Sequence, residues 1–369
     1  MPTQSERRLA ALAAICDTLL PAIARTDDPD GYWARCASDL DVPTRIIALM
    51  ANAKTEDRLA FQQLLDLLAS PLLGLSWLGP LRSADRLRPA QRGTLLRRWA
   101  ASPVADLRNA FNSLRKLTCL LYYGDVAPDQ ASNANWKTIG YQPLNQFIRP
   151  DPSPLPTLNL LNNTTLRCDV LVIGSGAGGS VVAAQLAAAG QQVLVVEKGG
   201  YAPIQEFNQQ EVPMLSRHFE AGGLLTSQNG SITVLAGSTL GGGTTINWAA
   251  SLRTTDYILE EWAKRHGNPH FLEKSYQQGF DYIEQRNGIR SDFVHNPQNQ
   301  ALLDGAQQLG YRAENIPMNL RFPENLSPET AWQACGFSCY GDAFGIKQGA
   351  VQTFLGDAAQ HGATLLPGT

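Results

Sequence analysis

Residues 168–201, CDVLVIGSGAGGSVVAAQLAAAGQQVLVVEKGGY, restrict the fold more than any other part of the chain. Residues 169–173 are a short apolar run of the kind that forms a buried parallel strand. Gly174-x-Gly176-x-x-Gly179 follows at once, and residues 180–189 are small and apolar, suited to a helix packed closely on a sheet. Gly190 stands where a helix ends in the left-handed conformation. Residues 192–196 form a second apolar run, with Glu197 at its carboxyl end. Strand, glycine turn, helix, strand and acid in this order predict a βαβ unit.

Each part of that unit has a chemical reason. Gly174 permits a tight turn, Gly176 lets the backbone approach a pyrophosphate, and Gly179 lets helix and strand pack closely. The helix N-terminus offers free N–H groups and a positive dipole to phosphates. Glu197 lies where a carboxylate accepts hydrogen bonds from ribose hydroxyls. The stretch therefore predicts a dinucleotide site, with nicotinamide and flavin both open.

A length of 369 residues allows two or three domains. A net charge of −3 gives no reason to expect nucleic acid or an anionic membrane as a partner. Six cysteines are too few and too scattered for a disulfide framework in a chain of this length, which makes a reducing cytoplasm the expectation. No segment has the ~20 uninterrupted apolar residues of a membrane helix. Residues 64–78 come nearest, but Asp66, Ser70 and Pro71 make them helix, turn, helix. Arg7 and Arg8 before LAALAAIC imitate a secretion signal, yet Glu6 and Asp17 break the pattern and a helix is the better reading. The sequons at Asn162, Asn163, Asn229 and Asn325 are then chance matches.

The first 142 residues read as a helical domain. Leu9, Leu12, Ala13, Cys16, Leu19, Leu20 and Ile23 recur at helical spacing, with Ser5 placed to cap the start and Pro21 to end or kink the helix. Residues 42–50, 57–68, 89–99 and 104–122 are further helices. Arg82, Arg86, Arg88, Arg92, Arg97 and Arg98 make one region basic, read as a solvated helix face in preference to an anion or membrane site. Prolines at 143, 150, 152, 154 and 156 mark an extended linker over residues 143–166. The first part of the dinucleotide domain then occupies residues 167–267. A mixed substrate-side region covers 268–345, with helices at 271–286 and 299–309. Residues 346–369 return to the dinucleotide domain with a helix over 349–362 and a strand from 363.

A second glycine-rich stretch, residues 235–253, LAGSTLGGGTTINWAASLR, reads as a loop able to lie against a phosphate or a flat ring. Thr244, Thr245 and Asn247 add polar contacts, and residues 255–266 follow as a helix stopped by Gly267. Cys335 and Cys339 have the wrong spacing for zinc or for a redox pair, so they read as a packed pair sharing one face of a strand, and no metal is expected.

With these stretches in view, the chain resembles the glucose–methanol–choline (GMC) oxidoreductase family of flavoproteins, and within it the long-chain fatty alcohol oxidase branch. GSTLGGGTTINW is similar to that branch's second family motif. CGFSCYGDAFGIKQG is similar to its cysteine-containing motif, with Ser338 where a further cysteine usually stands. ALAAICDTLLPAI and LRNAFNSLRKLTCLLYYGD are similar to its extra N-terminal domain. The resemblance implies an α/β fold. Its FAD-binding, Rossmann-like, doubly wound domain is incomplete at the C-terminus and is preceded by an α-helical domain.

It further implies that Gly174, Ser175, Gly176, Gly179 and Glu197 hold the ADP half of FAD. Gly237, Ser238, Gly241, Gly242, Gly243, Thr244 and Asn247 would lie along the pyrophosphate and isoalloxazine. Some relatives attach flavin covalently through a histidine just before the asparagine; Ile246 stands there, which implies non-covalent FAD. Trp248 and Ala249 stand where many relatives have Gly-Met, which favours the long-chain branch.

The implied reaction is oxidation of a primary, long-chain alcohol to the aldehyde, with oxygen or another acceptor reoxidising the flavin. The family's catalytic histidine is expected beyond Thr369. His218, His266, His270, His295 and His361 match no family motif, so no catalytic base is assigned and the chain itself is expected to be an inactive, poorly soluble N-terminal portion with an open sheet edge. Peripheral membrane association and oligomeric state stay open. A sugar or polyol dehydrogenase of the same family and a catalytically silent nucleotide-binding protein are the alternatives.

Overall fold

The computed structural model describes residues 2–51, 53–126, 130, 132–141, 154–160, 163–208, 210–227, 232–324 and 326–369. Most of the proline-rich linker and the sequons at Asn162, Asn229 and Asn325 lie outside the described residues. The chain divides into two units. One comprises Met1–Pro143, Gln210–Ser216 and Ala221–Leu235; the other comprises Leu144–Gln209, Arg217–Glu220 and Ala236–Thr369.

The first unit is a helical bundle of α1 (Gln4–Leu19), α2 (Val42–Ala51), α3 (Thr55–Leu68), α4 (Pro89–Ala100) and α5 (Ala105–Gly124), with a short α6 (Trp136–Ile139). Thr3, not Ser5, caps α1: its side chain accepts from the Glu6 N–H, and the Glu6 carboxylate accepts from the Thr3 N–H at 2.6 Å. This reciprocal box satisfies two orphan donors. The helix stops at Leu19, two residues before Pro21. Leu12 and Ile15 of α1, Ile46 of α2, Leu68 of α3, Leu95 and Trp99 of α4 and Leu114 of α5 are fully buried in one core.

Residues 64–78 turn as expected, but the second half, Pro71–Trp77, is a 3-10 helix. The arginine-rich region is not uniformly solvated. Arg92 donates to Thr18 Oγ1 and the Leu87 carbonyl, both at 2.7 Å, and Arg98 donates to the Trp77 carbonyl. Arg82, Arg86, Arg88, Arg97 and Arg98 are exposed, and only Arg92 is partly buried.

The second unit holds a parallel sheet in the order β1 (Val170–Ile173), β2 (Val193–Glu197), β3 (Thr364–Pro367). Val170 pairs with Val193, and Leu194 with Thr364. Helix α7 (Ala177–Ala188) connects β1 to β2, and its Ala183, Ala184 and Ala187 share a core with Val172, Val195 and Leu365. The expected open edge at β3 is partly covered, because Thr157 bridges Leu365 in parallel and the Leu158 N–H donates to the Leu365 carbonyl at 2.8 Å.

The chain further forms α8 (Glu211–His218), α9 (Gly243–Ile246), α10 (Asp256–His266), α11 (Lys274–Asn287), α12 (Pro297–Gln308), α13 (Pro328–Gly336) and α14 (Phe354–Gln360). Three readings need correction here. Cys335 lies on α13 rather than on a strand, because Ser327 caps a helix whose first residue is Pro328. The helix expected over 349–362 is confined to α14, since residues 349–353 turn back on themselves with the Ala350 N–H tied to Thr244 Oγ1. The second glycine stretch is not all loop, because residues 243–246 close one helical turn.

Candidate functional site

The first glycine turn follows β1 directly. Gly174 has φ +93°, a conformation that disfavours any side chain, and its N–H donates to the Val196 carbonyl at 2.8 Å. A methyl on Gly179 would lie 2.0 Å from the Gly174 carbonyl oxygen and 3.3 Å from Val172, so α7 seats on β1 only with glycine there. Gly176 precedes α7 and differs in kind. Its φ is −66°, and the nearest atom to a methyl there is the Gly242 Cα at 4.0 Å. Neither strain nor packing within the protein requires glycine at that position.

Glu197, at the end of β2, is buried against this turn. Its Oε2 accepts from the Ser175 N–H at 3.0 Å and from Ser175 Oγ at 2.7 Å, and its Oε1 accepts from the Gly199 N–H at 2.9 Å. Three of roughly four carboxylate acceptor positions are thus used by the chain, leaving one on Oε1 for an external hydroxyl. Ser175 Oγ in turn accepts from the Gly241 N–H at 2.9 Å. One buried serine therefore joins both glycine stretches. Neither that bridge nor the structural share of Glu197 was part of the sequence reading.

The second stretch is packed backbone on backbone. Methyls on Gly237, Gly242 and Gly199 would meet Gly242 at 2.4 Å, the Gly176 Cα at 2.9 Å and the Ser238 backbone at 2.1 Å respectively. Gly241 has φ +85°. Gly243 is the exception, with nothing within 4 Å of a methyl. Thr239 pairs with Gly200 as an isolated bridge, and its hydroxyl donates to the Gly200 carbonyl at 3.1 Å. That donation leaves the hydroxyl oxygen to accept from His218 Nδ1, 3.2 Å away. Buried His218 is therefore protonated on Nδ1, and burial depresses its pKa to about 4. It braces Thr239 as a neutral ring.

Lys347 grips the second stretch. Its fully sequestered Nζ donates to the carbonyls of Thr245 at 2.7 Å, Asn247 at 3.0 Å and Ser338 at 2.7 Å. Asp342, also buried, accepts from the Lys347 N–H at 2.6 Å. Burial pushes Lys347 down to about 8, opposed by the Asp342 charge, and pushes Asp342 up. The two face a cavity of about 20 Å³ with Tyr201, Phe207 and Thr245. It is large enough for one water and far too small for a cofactor.

Thr244 Oγ1 donates to the Gly241 carbonyl at 2.7 Å, and Asn247 Oδ1 accepts from the Ala249 N–H at 3.2 Å. Ser238 lies between Gly237 and Thr239, its N–H on the His218 carbonyl at 2.8 Å. Ile246 is buried and its hydrocarbon side chain carries no nucleophile, while Trp248 is exposed. The twelve residues singled out from sequence thus fall on two stretches that touch through Gly176, Gly242, Ser175 and Gly241. His270 pairs with Glu273, His295 with Asn315, and His361 caps α14; none joins this cluster. Among the described residues no group of His, Cys, Asp and Glu is placed to hold a metal.

Three family models match the chain. Residues 215–369 match GMC oxidoreductase, residues 172–223 match the NAD(P)-binding Rossmann-like domain, and residues 6–143 match gluconate 2-dehydrogenase subunit 3. A long-chain-alcohol oxidase of Arabidopsis thaliana is 43% identical over 204 residues, 55% of this chain and 26% of that protein. Two other long-chain-alcohol oxidases of that plant are 29% identical over 432 aligned residues, covering 98% and 100% of this chain and 57% and 56% of their own lengths. The chain spans little more than half of the relatives it matches from end to end.

Proposed function

We propose that this chain, whose residues 215–369 belong to the GMC oxidoreductase family, holds FAD without a covalent link in an enzyme that oxidises primary long-chain alcohols to aldehydes. One observation carries the cofactor reading. Gly176 and Gly243, one on each packed glycine stretch, have room for a side chain, with no atom nearer than 4.0 Å to a methyl there, and helical or extended backbone that any residue adopts. Glycine at such positions is accounted for by a ligand approaching the backbone. Gly174, Ser175, Gly176, Gly179 and Glu197 would hold the ADP half, Glu197 through the acceptor position left on Oε1. The stretch from Gly237 to Asn247 would face the pyrophosphate and ring. Ile246 offers no group for covalent attachment.

Bound FAD supplies a hydride acceptor for the alcohol carbon. This chain's residues bind and orient: Lys347 fixes the carbonyls of Thr245 and Asn247, and Ser175 holds the two stretches in register. The substrate class rests on the relatives named as long-chain-alcohol oxidases, which align with nearly the whole chain, the helical unit included. The gluconate 2-dehydrogenase subunit 3 match over residues 6–143 favours a second reading, a sugar or polyol dehydrogenase. The test is turnover of the full-length protein on ethanol, decanol, hexadecanol and gluconate, with aldehyde and peroxide measured. A rise in kcat/KM with chain length and peroxide release is expected. Activity confined to gluconate would establish the second reading instead.

A further inference from the structure

We infer that the segment from Leu72 to Leu81 is a docking surface for an anionic lipid bilayer. A 3-10 helix has three residues per turn, so side chains three apart eclipse. Leu72 and Leu75 of Pro71–Trp77 therefore stack along one edge, and Leu78, its cap residue, continues the row. They are 60%, 65% and 89% exposed, and Leu81 beyond them is 60% exposed. The inner edge is buried: Leu73 and Trp77 enter the bundle core, and Trp99 Nε1 donates to Ser76 Oγ at 3.0 Å.

The row is held outward rather than left loose. A methyl on Gly74 would lie 2.4 Å from the Pro80 carbonyl oxygen, and one on Gly79 2.2 Å from the Trp77 ring. Leu78 sits at φ 54°, a left-handed conformation that glycine or asparagine adopts more readily. The most exposed large apolar side chain among the described residues thus stands where a leucine is both strained and wet. Folding alone does not call for it.

Charge identifies the occupant. Exposed Arg82, Arg86 and Arg88 follow the row directly, against a single exposed Asp85. None of the three arginines makes an ion pair or donates a side-chain hydrogen bond among the described residues, whereas Arg92 and Arg98 donate to Thr18 Oγ1 and to the carbonyls of Leu87 and Trp77. A row of aliphatic tips beside unpaired guanidinium groups is the pattern of an interfacial anchor on acidic headgroups. A protein partner would call for aromatic anchors in a flat, desolvated patch. No single described helix is long and apolar enough to cross a membrane; α3 and Pro71–Trp77 pass such a test only together, bent by 99°. Because α3 commits Phe61, Leu65 and Leu68 to the core, insertion is limited to the leucine tips. The inference rests on the helical unit alone and stands apart from the flavin reading.

Flotation of the full-length protein with vesicles tests it, using pure phosphatidylcholine and a mixture with phosphatidylglycerol. Binding to the mixed vesicles is expected, weakened by salt. L72S/L75S/L78S and R82E/R86E should each lower it about tenfold with unchanged circular dichroism and Tm, because the residues are exposed. Equal binding to both vesicle types, or no effect of either variant, would overturn the assignment. So would absence of vesicle binding together with a loss of self-association in the leucine variant, which would make the row a protein contact.

Discussion

In the helical unit, Leu12, Ile15, Leu68, Leu95 and Trp99 fill the space between helices, and side-chain volume makes the fit. Around Gly174–Gly179 and Gly237–Gly243 the contact is main chain against main chain, and the missing Cβ makes the fit. The first arrangement tolerates exchange of one apolar residue for another of similar size. The second admits no side chain at Gly179, Gly237 or Gly242, but it leaves backbone groups beside Gly176 and Gly243 that a ligand can reach. A chain that carries both separates a conventional core from a surface made of polypeptide backbone.

The comparison is sharpest where volume is taken away from one unit and added to the other. Trp99→Ala removes the largest fully buried side chain among the described residues, together with its hydrogen bond to Ser76, and should cost about 3–5 kcal/mol in denaturant unfolding. Lys347→Met leaves three buried carbonyls and Asp342 without their cation, and should destabilise the second unit by roughly 3 kcal/mol. A neutral result for Lys347→Met would mean that the second stretch holds its shape without the grip.

Acid should act through His218. Its folded pKa of about 4 lies below the ordinary 6.5, so the unfolded chain binds the proton more readily. Stability from this group is complete above pH 6.5 and declines as pH falls toward 4, by about 3 kcal/mol in all. The difference in stability between the protein and His218→Leu, followed by urea melts from pH 7.5 to 4, should shrink by that amount. A constant difference would show that the ring is not held neutral.

Gly179→Ala forces a methyl against a carbonyl oxygen and should cost about 1–3 kcal/mol. Gly176→Ala meets only the Gly242 Cα, at 4.0 Å, and should stay within about 0.5 kcal/mol of the parent while losing flavin. Equal stability losses at both glycines would break the distinction between glycines that pack and glycines that receive a ligand.

The βαβ unit was legible because its constraints are local: Gly174, Gly179 and Gly190 act within a few residues of themselves. The helical bundle was legible from apolar spacing, although the cap is Thr3 and not Ser5, because Thr3 has Glu6 three residues on to close a reciprocal box. Helix α13 had a readable start in Ser327-Pro328 that the cysteine spacing obscured. The bridge from Ser175 to Gly241 and the grip of Lys347 on Thr245 were not legible, since they join residues 66 and 102 positions apart. Nothing in a serine beside a glycine, or a lysine in a polar stretch, announces a partner at that distance. The 3-10 geometry that aligns Leu72, Leu75 and Leu78 was hidden for another reason: a period of three in a short apolar run is indistinguishable from a helix broken at Pro71.

The central claim is that two backbone surfaces, brought together by Ser175, hold FAD with no covalent link. Heat or acid denaturation of the purified full-length protein, followed by separation of precipitate and supernatant, tests it directly. The account predicts yellow protein whose flavin passes entirely into the supernatant as FAD, about one per chain, and Gly176→Ala protein that is folded but nearly colourless. A colourless parent protein, or flavin that stays with the precipitate, would contradict it.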